Sequence, residues 1–172
     1  MAFAFSTSVL IVLVILSGAT TTNCTKPTSN SSSVVDEEEK ALLQSGVAKT
    51  SQSVASGTIV CNDAGSITNI SLSSYHYQPP SPPQFQAMKW TAFSNLVTLH
   101  LSQIKLSGII PENIGALTNI THLEISCNNL TGQLNHTISN LTHLVMLDVS
   151  YNGLSGWIPE VIGNMKNLVT LP

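Results

Sequence analysis

Apolar residues recur along the second half of the chain at a constant interval. Leu96, Ile120, Leu144 and Leu168 stand 24 residues apart, and Leu99, Leu123, Leu147 and Leu171 keep the same step. So do Leu101, Ile125 and Val149, and after them Leu106, Leu130 and Leu154. Further columns hold Ile110, Leu134 and Ile158, then Ile114, Ile138 and Ile162, then Leu117, Leu141 and Met165. Gly108, Gly132 and Gly156 align, as do two sets of small polar residues: Ser102, Ser126 and Ser150, and Ser107, Thr131 and Ser155. Agreement in so many columns defines an internal repeat.

Leu99-x-Leu101 and its counterparts alternate, which predicts a short strand with one buried face. The glycine column supplies backbone angles closed to other residues. Pro111 and Pro159 then set an extended segment that cannot continue a helix. Ile114 and Leu117, three apart, form one apolar turn before the chain returns to its next strand. The aliphatic side chains of a single coil cannot offset the entropy of ordering 24 residues, so each coil must stack on its neighbours. The predicted fold class is an α/β solenoid, a right-handed coil with a parallel β-sheet on its concave side.

Upstream the pattern is different. Val9 to Leu16 is an unbroken apolar run followed by the small residues Ser17, Gly18 and Ala19. That predicts a signal peptide over residues 1–19 with its apolar core at Val9 to Leu16, the alternative being an uncleaved anchor; the run is too short to span a bilayer, and no other stretch is apolar enough to cross one. Residues 20–35, nearly all Thr, Ser, Asn and Pro at first, predict a disordered linker. Asp36 to Glu39 precede Lys40-Ala41-Leu42-Leu43, which predicts a short helix with a solvated acidic first turn. Gln44 to Thr58 shows no periodicity.

Composition sharpens the picture. Only 9% of the 172 residues are charged, with six lysines, no arginine, nine acids and a net charge of −3. A net negative charge and no basic patch to neutralise phosphates argue against nucleic acid as a partner. Aromatics at 5% exclude a core built on large rings. N-x-[ST] sequons at Asn30, Asn69, Asn119, Asn129, Asn135 and Asn140, with Asn23 beside the cleavage point, predict a glycoprotein whose sugars supply surface polarity. The cysteines Cys24, Cys61 and Cys127 are too few for a disulfide scaffold.

Leu144 to Gly163, LVMLDVSYNGLSGWIPEVIG, resembles the plant extracellular leucine-rich repeat across its length. Glu37 to Leu72 resembles the N-terminal cap region of plant leucine-rich-repeat receptor-like kinases. The implied organisation is a degenerate cap over 36–66, an irregular first repeat over 67–95, and repeats over 96–119, 120–143 and 144–167. Residues 168–172 open a truncated one. Trp90 and Phe93 stand 24 residues before Ile114 and Leu117, and the Pro79 to Pro83 segment bulges from the longer first coil. In the resembled cap a tryptophan and an earlier cysteine accompany the residue matching Cys61. Residues 49–60 hold neither, so Cys61 lacks its expected partner and no disulfide is assigned; Cys127 reads as a lone thiol. The resemblance also implies an asparagine column that bonds to neighbouring coils, filled by Asn128 and Asn152 but by Ile104 in the first repeat. Asn135 stands where proline is expected.

The resemblance implies recognition on the concave face. The columns between buried leucines are Thr98, His100, Ser102 and Gln103; His122, Glu124, Ser126 and Cys127; Met146, Asp148, Ser150 and Tyr151. Of these, Thr98, His100, Gln103, His122, Glu124, Met146, Asp148 and Tyr151 are the candidate ligand-binding residues, with His100, Glu124 and Asp148 in one polar stripe. Nothing encloses them, so neither catalysis nor a metal site is expected, and no cofactor. His76, His136 and His143 read as surface histidines. The chain carries no kinase signature (Gly-rich loop, strand lysine, H-R-D, D-F-G). The expected function is an extracellular module sensing a peptide or protein ligand, with a possible co-receptor and no small-molecule substrate. It is expected to be secreted to the apoplast, or held at the cell surface if further C-terminal parts exist. A secreted inhibitor of a microbial cell-wall-degrading enzyme, like the polygalacturonase-inhibiting proteins, stays open, as does a nonfunctional fragment or a scaffold whose binding site lies in missing repeats.

Overall fold

The computed structural model describes residues 37, 38, 40, 41, 56–73 and 82–172. The signal peptide over 1–19, the linker over 20–35, Cys24, Asn23, Asn30, His76 and most of the proline bulge lie outside the described residues.

The alternating columns form the strands of one parallel ladder. Strands β2 (Ile67–Ser73), β3 (Thr98–Ser102), β5 (His122–Glu124) and β7 (Met146–Asp148) lie side by side in that order. Ile70 pairs with Leu99, Leu99 with Leu123, and Leu123 with Leu147, all four without exposed surface. Thr170 makes a parallel bridge to Met146, extending the ladder by one position. The 24-residue step and the spacing of parallel strands thus describe the same object.

At the other edge, β1 (Ser56–Cys61) pairs antiparallel with β2. The Asn62 side chain closes the turn by accepting from the backbone N–H of Ala64 and of Ser66, at 3.1 and 3.0 Å. The sequence carried this hairpin as Asn-Asp-Ala-Gly between Thr58-Ile59-Val60-Cys61 and Ile67 to Leu72, a signal the 24-residue step does not reveal.

A second parallel sheet, not foreseen from the strand pattern, joins β4 (Ser107–Ile109), β6 (Asn129–Gly132) and β8 (Gly153–Leu154). Its register pairs Ser107 with Asn129 and Gly108 with Leu130, two residues out of step with the repeat. The glycine column makes it possible. Gly108, Gly132 and Gly156 have φ of 90°, 80° and 81°, and a Cβ on Gly108 would lie 1.7 Å from Gln86 Oε1. Short 3-10 turns at Glu112–Ala116, His136–Asn140 and Glu160–Asn164 then bring each coil back. Pro111 and Pro159 precede the first and third of these, while Asn135 caps the second by accepting from Thr137 N–H at 3.0 Å. An amide cap therefore replaces the proline at that turn.

The core between the sheets is aliphatic, except in the first coil. There Phe85, Trp90 and Phe93 are buried together, with ring centroids 4.7 and 6.1 Å apart. Aromatics are rare in the chain yet concentrated at this end of the stack.

Side chains also bond one coil to the next. Asn128 Nδ2 donates to Leu101 O at 2.7 Å, and its Oδ1 accepts from the N–H of Ile104 and of Leu106. Asn152 repeats the pattern toward Ile125 O and Leu130 N–H. The buried Ile104 breaks the column, but the Leu101 carbonyl is not left unmet, because Asn128 reaches it from the coil beyond. A second ladder runs along the opposite edge. Asn119 and Asn167 donate through Nδ2 to Ser94 O and Thr142 O, at 2.7 and 2.8 Å. His143 fills the same column, its Nδ1 2.9 Å from Thr118 O. It is exposed, as expected, but it is also part of the stack. Ser107, Thr131 and Ser155 form a third ladder, their hydroxyls donating to the carbonyls of Pro83, Gly108 and Gly132.

Two expectations about the cap are corrected. Glu37, Glu38, Lys40 and Ala41 are helical, but the acidic turn is not simply solvated. Glu37 faces water and pairs with Lys89, whereas Glu38 is fully buried and accepts from Ile67 N–H at 2.8 Å. Consecutive helix positions point about 100° apart, so an acidic run necessarily places some members inward once the helix docks. Second, Cys61, read as lacking a partner, is disulfide-bonded, whereas Cys127 is free and half-buried. A disulfide requires Cα atoms within roughly 7 Å, a proximity created by the fold and not by spacing in the chain.

Candidate functional site: the concave sheet

Alternation puts every second side chain of the long sheet on its open side, and the register aligns these into two rows. Ser71, His100, Glu124 and Asp148 form one row across β2, β3, β5 and β7. Asn69, Thr98, His122 and Met146 form the other. Neighbours within a row are one strand apart, about 4.8 Å. The expected stripe of His100, Glu124 and Asp148 is therefore one continuous row, with His122 in the next.

Within the first row, His100 Nδ1 lies 2.7 Å from Glu124 Oε2, both side chains partly exposed. Ser126 Oγ donates to the other Glu124 oxygen at 3.4 Å. Asp148 Oδ1 accepts from Ser150 N–H and Ser150 Oγ, at 2.9 and 2.6 Å. In the second row, His122 is exposed and its Nδ1 sits 2.9 Å from Thr121 Oγ1. The described strands β2, β3, β5 and β7 carry two carboxylates and two imidazoles but no lysine. The His100–Glu124 pair is screened by water and is worth at most about 1 kcal/mol to the fold.

The remaining candidates lie elsewhere. Gln103, Cys127 and Tyr151 occupy the bend just past the strands, with φ of 59°, 54° and 53°. This places them on the rim. Tyr151 is 83% exposed, while Gln103 Oε1 is buried without a partner. Ser102 and Ser126, expected among the open columns, are buried, Ser102 at the end of β3 and Ser126 two residues past the end of β5. Bending into the left-handed region just beyond them turns the chain inward before the alternation can continue. Among the described residues, His, Cys, Asp and Glu side chains nowhere gather in the threes that a metal ion requires.

The sequons divide by what their amides do. Asn119 Nδ2 is committed to Ser94 O, and Asn135 Nδ2 to Ile110 O at 3.1 Å. Asn129 and Asn140 are exposed, on the second sheet and at the end of a 3-10 turn. Asn69 stands on the concave sheet, between Val60 of β1 and Thr98 of β3.

Residues 94–171 match the leucine rich repeat family model. Among solved structures the chain is similar to a plant peptide hormone receptor, RGFR1, in complex with RGF2. Identity is 32% and the TM-score 0.53, covering 64% of this chain and 16% of that one. The ectodomain of GASSHO1/SCHENGEN3, a plant membrane receptor kinase from Arabidopsis thaliana in complex with CASPARIAN STRIP INTEGRITY FACTOR 2, is 22% identical. It covers 94% of this chain and 17% of its own, with a TM-score of 0.58. A plant ice-binding protein is 24% identical, covering 76% of this chain and 53% of its own, with a TM-score of 0.52. The last two share the fold alone. The chain spans about a sixth of the length of the two receptors. No curated protein sequence matches it.

Proposed function

We propose that this chain, whose residues 94–171 are leucine-rich repeats and which resembles the ectodomains of plant receptor kinases, is a secreted or cell-surface recognition module that takes a peptide or protein ligand on its concave sheet. One observation carries the reading: His100, Glu124 and Asp148 line up across three adjoining strands with their polar ends outside the core. A row of parallel strands at fixed spacing offers an extended chain a regular series of side-chain contacts. The neighbouring receptor RGFR1 was solved with RGF2, a complex of the kind proposed for this surface. Among the described residues no helix is long and apolar enough to cross a membrane. The apolar run at Val9 to Leu16 supports export, and the sequons support glycosylation.

Binding is the activity assigned to these groups. A pool of extracellular peptides panned on the immobilised full chain tests it. Retention on the native protein and a drop of tenfold or more on a Glu124→Ala/Asp148→Ala variant is the expected result. Equal retention on both would move recognition off this sheet.

A further inference from the structure

The glycan-accepting atom of an N-x-[ST] sequon is the asparagine Nδ2, and the fold has already committed that atom at two of the five described sites. Asn119 and Asn135 spend it on carbonyls of the preceding coil. Asn69 does not: among the described residues no hydrogen bond engages its side chain, and it is only half-buried. Its sequon partner Ser71 projects from the same side of β2, since Ile70 between them is fully buried. Asn69 pairs with Thr98, and Ser71 with His100. A sugar on Asn69 therefore rises beside the first two candidate binding residues, while β5 and β7 carry no sequon.

We propose that Asn69 carries an N-linked glycan on the concave sheet, and that this glycan covers the N-terminal end of the sheet as far as His100, so that of the row assigned to recognition Glu124 and Asp148 are the members left open to a macromolecular ligand. The proposal rests on the secretory reading. In the transfer, Asn69 Nδ2 bonds to the anomeric carbon of a lipid-diphosphate-linked oligosaccharide. That carbon's bond to the diphosphate oxygen breaks, the lipid diphosphate leaves, and one amide proton passes to a base of the transferring enzyme. Asn129 and Asn140, whose amides are also unengaged, direct their sugars away from this sheet, from the second sheet and a return turn.

The full chain, secreted from a eukaryotic host, supplies the test. Lys49 and Lys89 bound a tryptic peptide in which Asn69 is the sole sequon, so its occupancy reads out separately. Peptide-N-glycosidase in heavy-oxygen water should convert Asn69 to labelled aspartate, and both Asn69→Gln and Ser71→Ala should abolish that label. Diethyl pyrocarbonate should then acylate His100 several-fold faster in Asn69→Gln than in the glycosylated protein, with the exposed His136 as the unchanged reference. An empty Asn69 beside an occupied Asn129 or Asn140 would overturn the proposal and leave the secretory reading standing. No occupied sequon at all would sink both. An occupied Asn69 with His100 equally reactive in both proteins would refute the covering of the sheet.

Discussion

At the scale of single residues, Glu38 is the most consequential. Its carboxyl is fully buried and holds one backbone N–H through Oε2, while Oε1 has no partner. Burial penalises the charged form and pushes its pKa up from 4.5 to about 7, outweighing the hydrogen bond from Ile67, which acts in the opposite direction. The folded chain thus binds this proton more tightly than the unfolded chain does. Stability is full below about pH 4.5, falls as pH rises toward 7, and levels off above it. A shift of that size corresponds to a loss on the order of 3 kcal/mol. Glu38→Gln keeps an acceptor for Ile67 N–H and cannot ionise. Urea unfolding at pH 5 and pH 8 should show the native protein weaker at pH 8 and the variant nearly unchanged between the two. Equal pH dependence in both proteins would mean that Glu38 is charged at no great cost.

At the scale of the elements, the side-chain ladders hold successive coils in register. Asn128 is buried and serves Ile104, Leu106 and Leu101 in one coil together with Ile125 and Ser126 in its own. Asn128→Ala would strand several buried backbone groups at about 1–3 kcal/mol each, so a loss of at least about 3 kcal/mol is expected in a denaturant titration. Asn152, partly exposed in the last full coil, should cost clearly less on the same change, because water can reach the groups it leaves. His143 should tolerate asparagine, the residue its column holds at 119 and 167, within about 0.5 kcal/mol. His143→Ala should cost about 1 kcal/mol by thermal melt, through the hydrogen bond to Thr118 O.

At the scale of the whole molecule, stacking and recognition use opposite sides of the same strands. Leu123 lies between Leu99 and Leu147, so Leu123→Ala should cost about 2–5 kcal/mol and be felt by the coils on both sides. Glu124→Ala/Asp148→Ala should lower the melting curve far less than Leu123→Ala, since it removes a water-screened pair and the local bonds from Ser126 and Ser150 but no core contact. A melt that falls as far as that of Leu123→Ala would show these carboxylates to be structural and would remove the basis for a binding face. Much of this division was legible beforehand: the column step assigned Leu99, Leu123 and Leu147 to one face and His100, Glu124 and Asp148 to the other. The rim was less legible, because Gln103, Cys127 and Tyr151 leave the strand at a left-handed bend that periodicity does not mark.

The sequence by itself determined the coil: its length, its buried columns except where Ile158 and Leu171 come to the surface in the last coils, the parallel register and the row of polar residues facing outward. These follow from a local rule, alternation within a strand repeated at a fixed step, and stacking copies that rule from coil to coil. Only the tertiary structure decided what breaks the period. It buried Glu38 against an amide 29 residues away, gave Cys61 a disulfide, staggered the second sheet, and let Asn128 cover the carbonyl left by Ile104. Each of these depends on which distant segments meet, and that is fixed by packing in three dimensions and not by the spacing of residues along the chain.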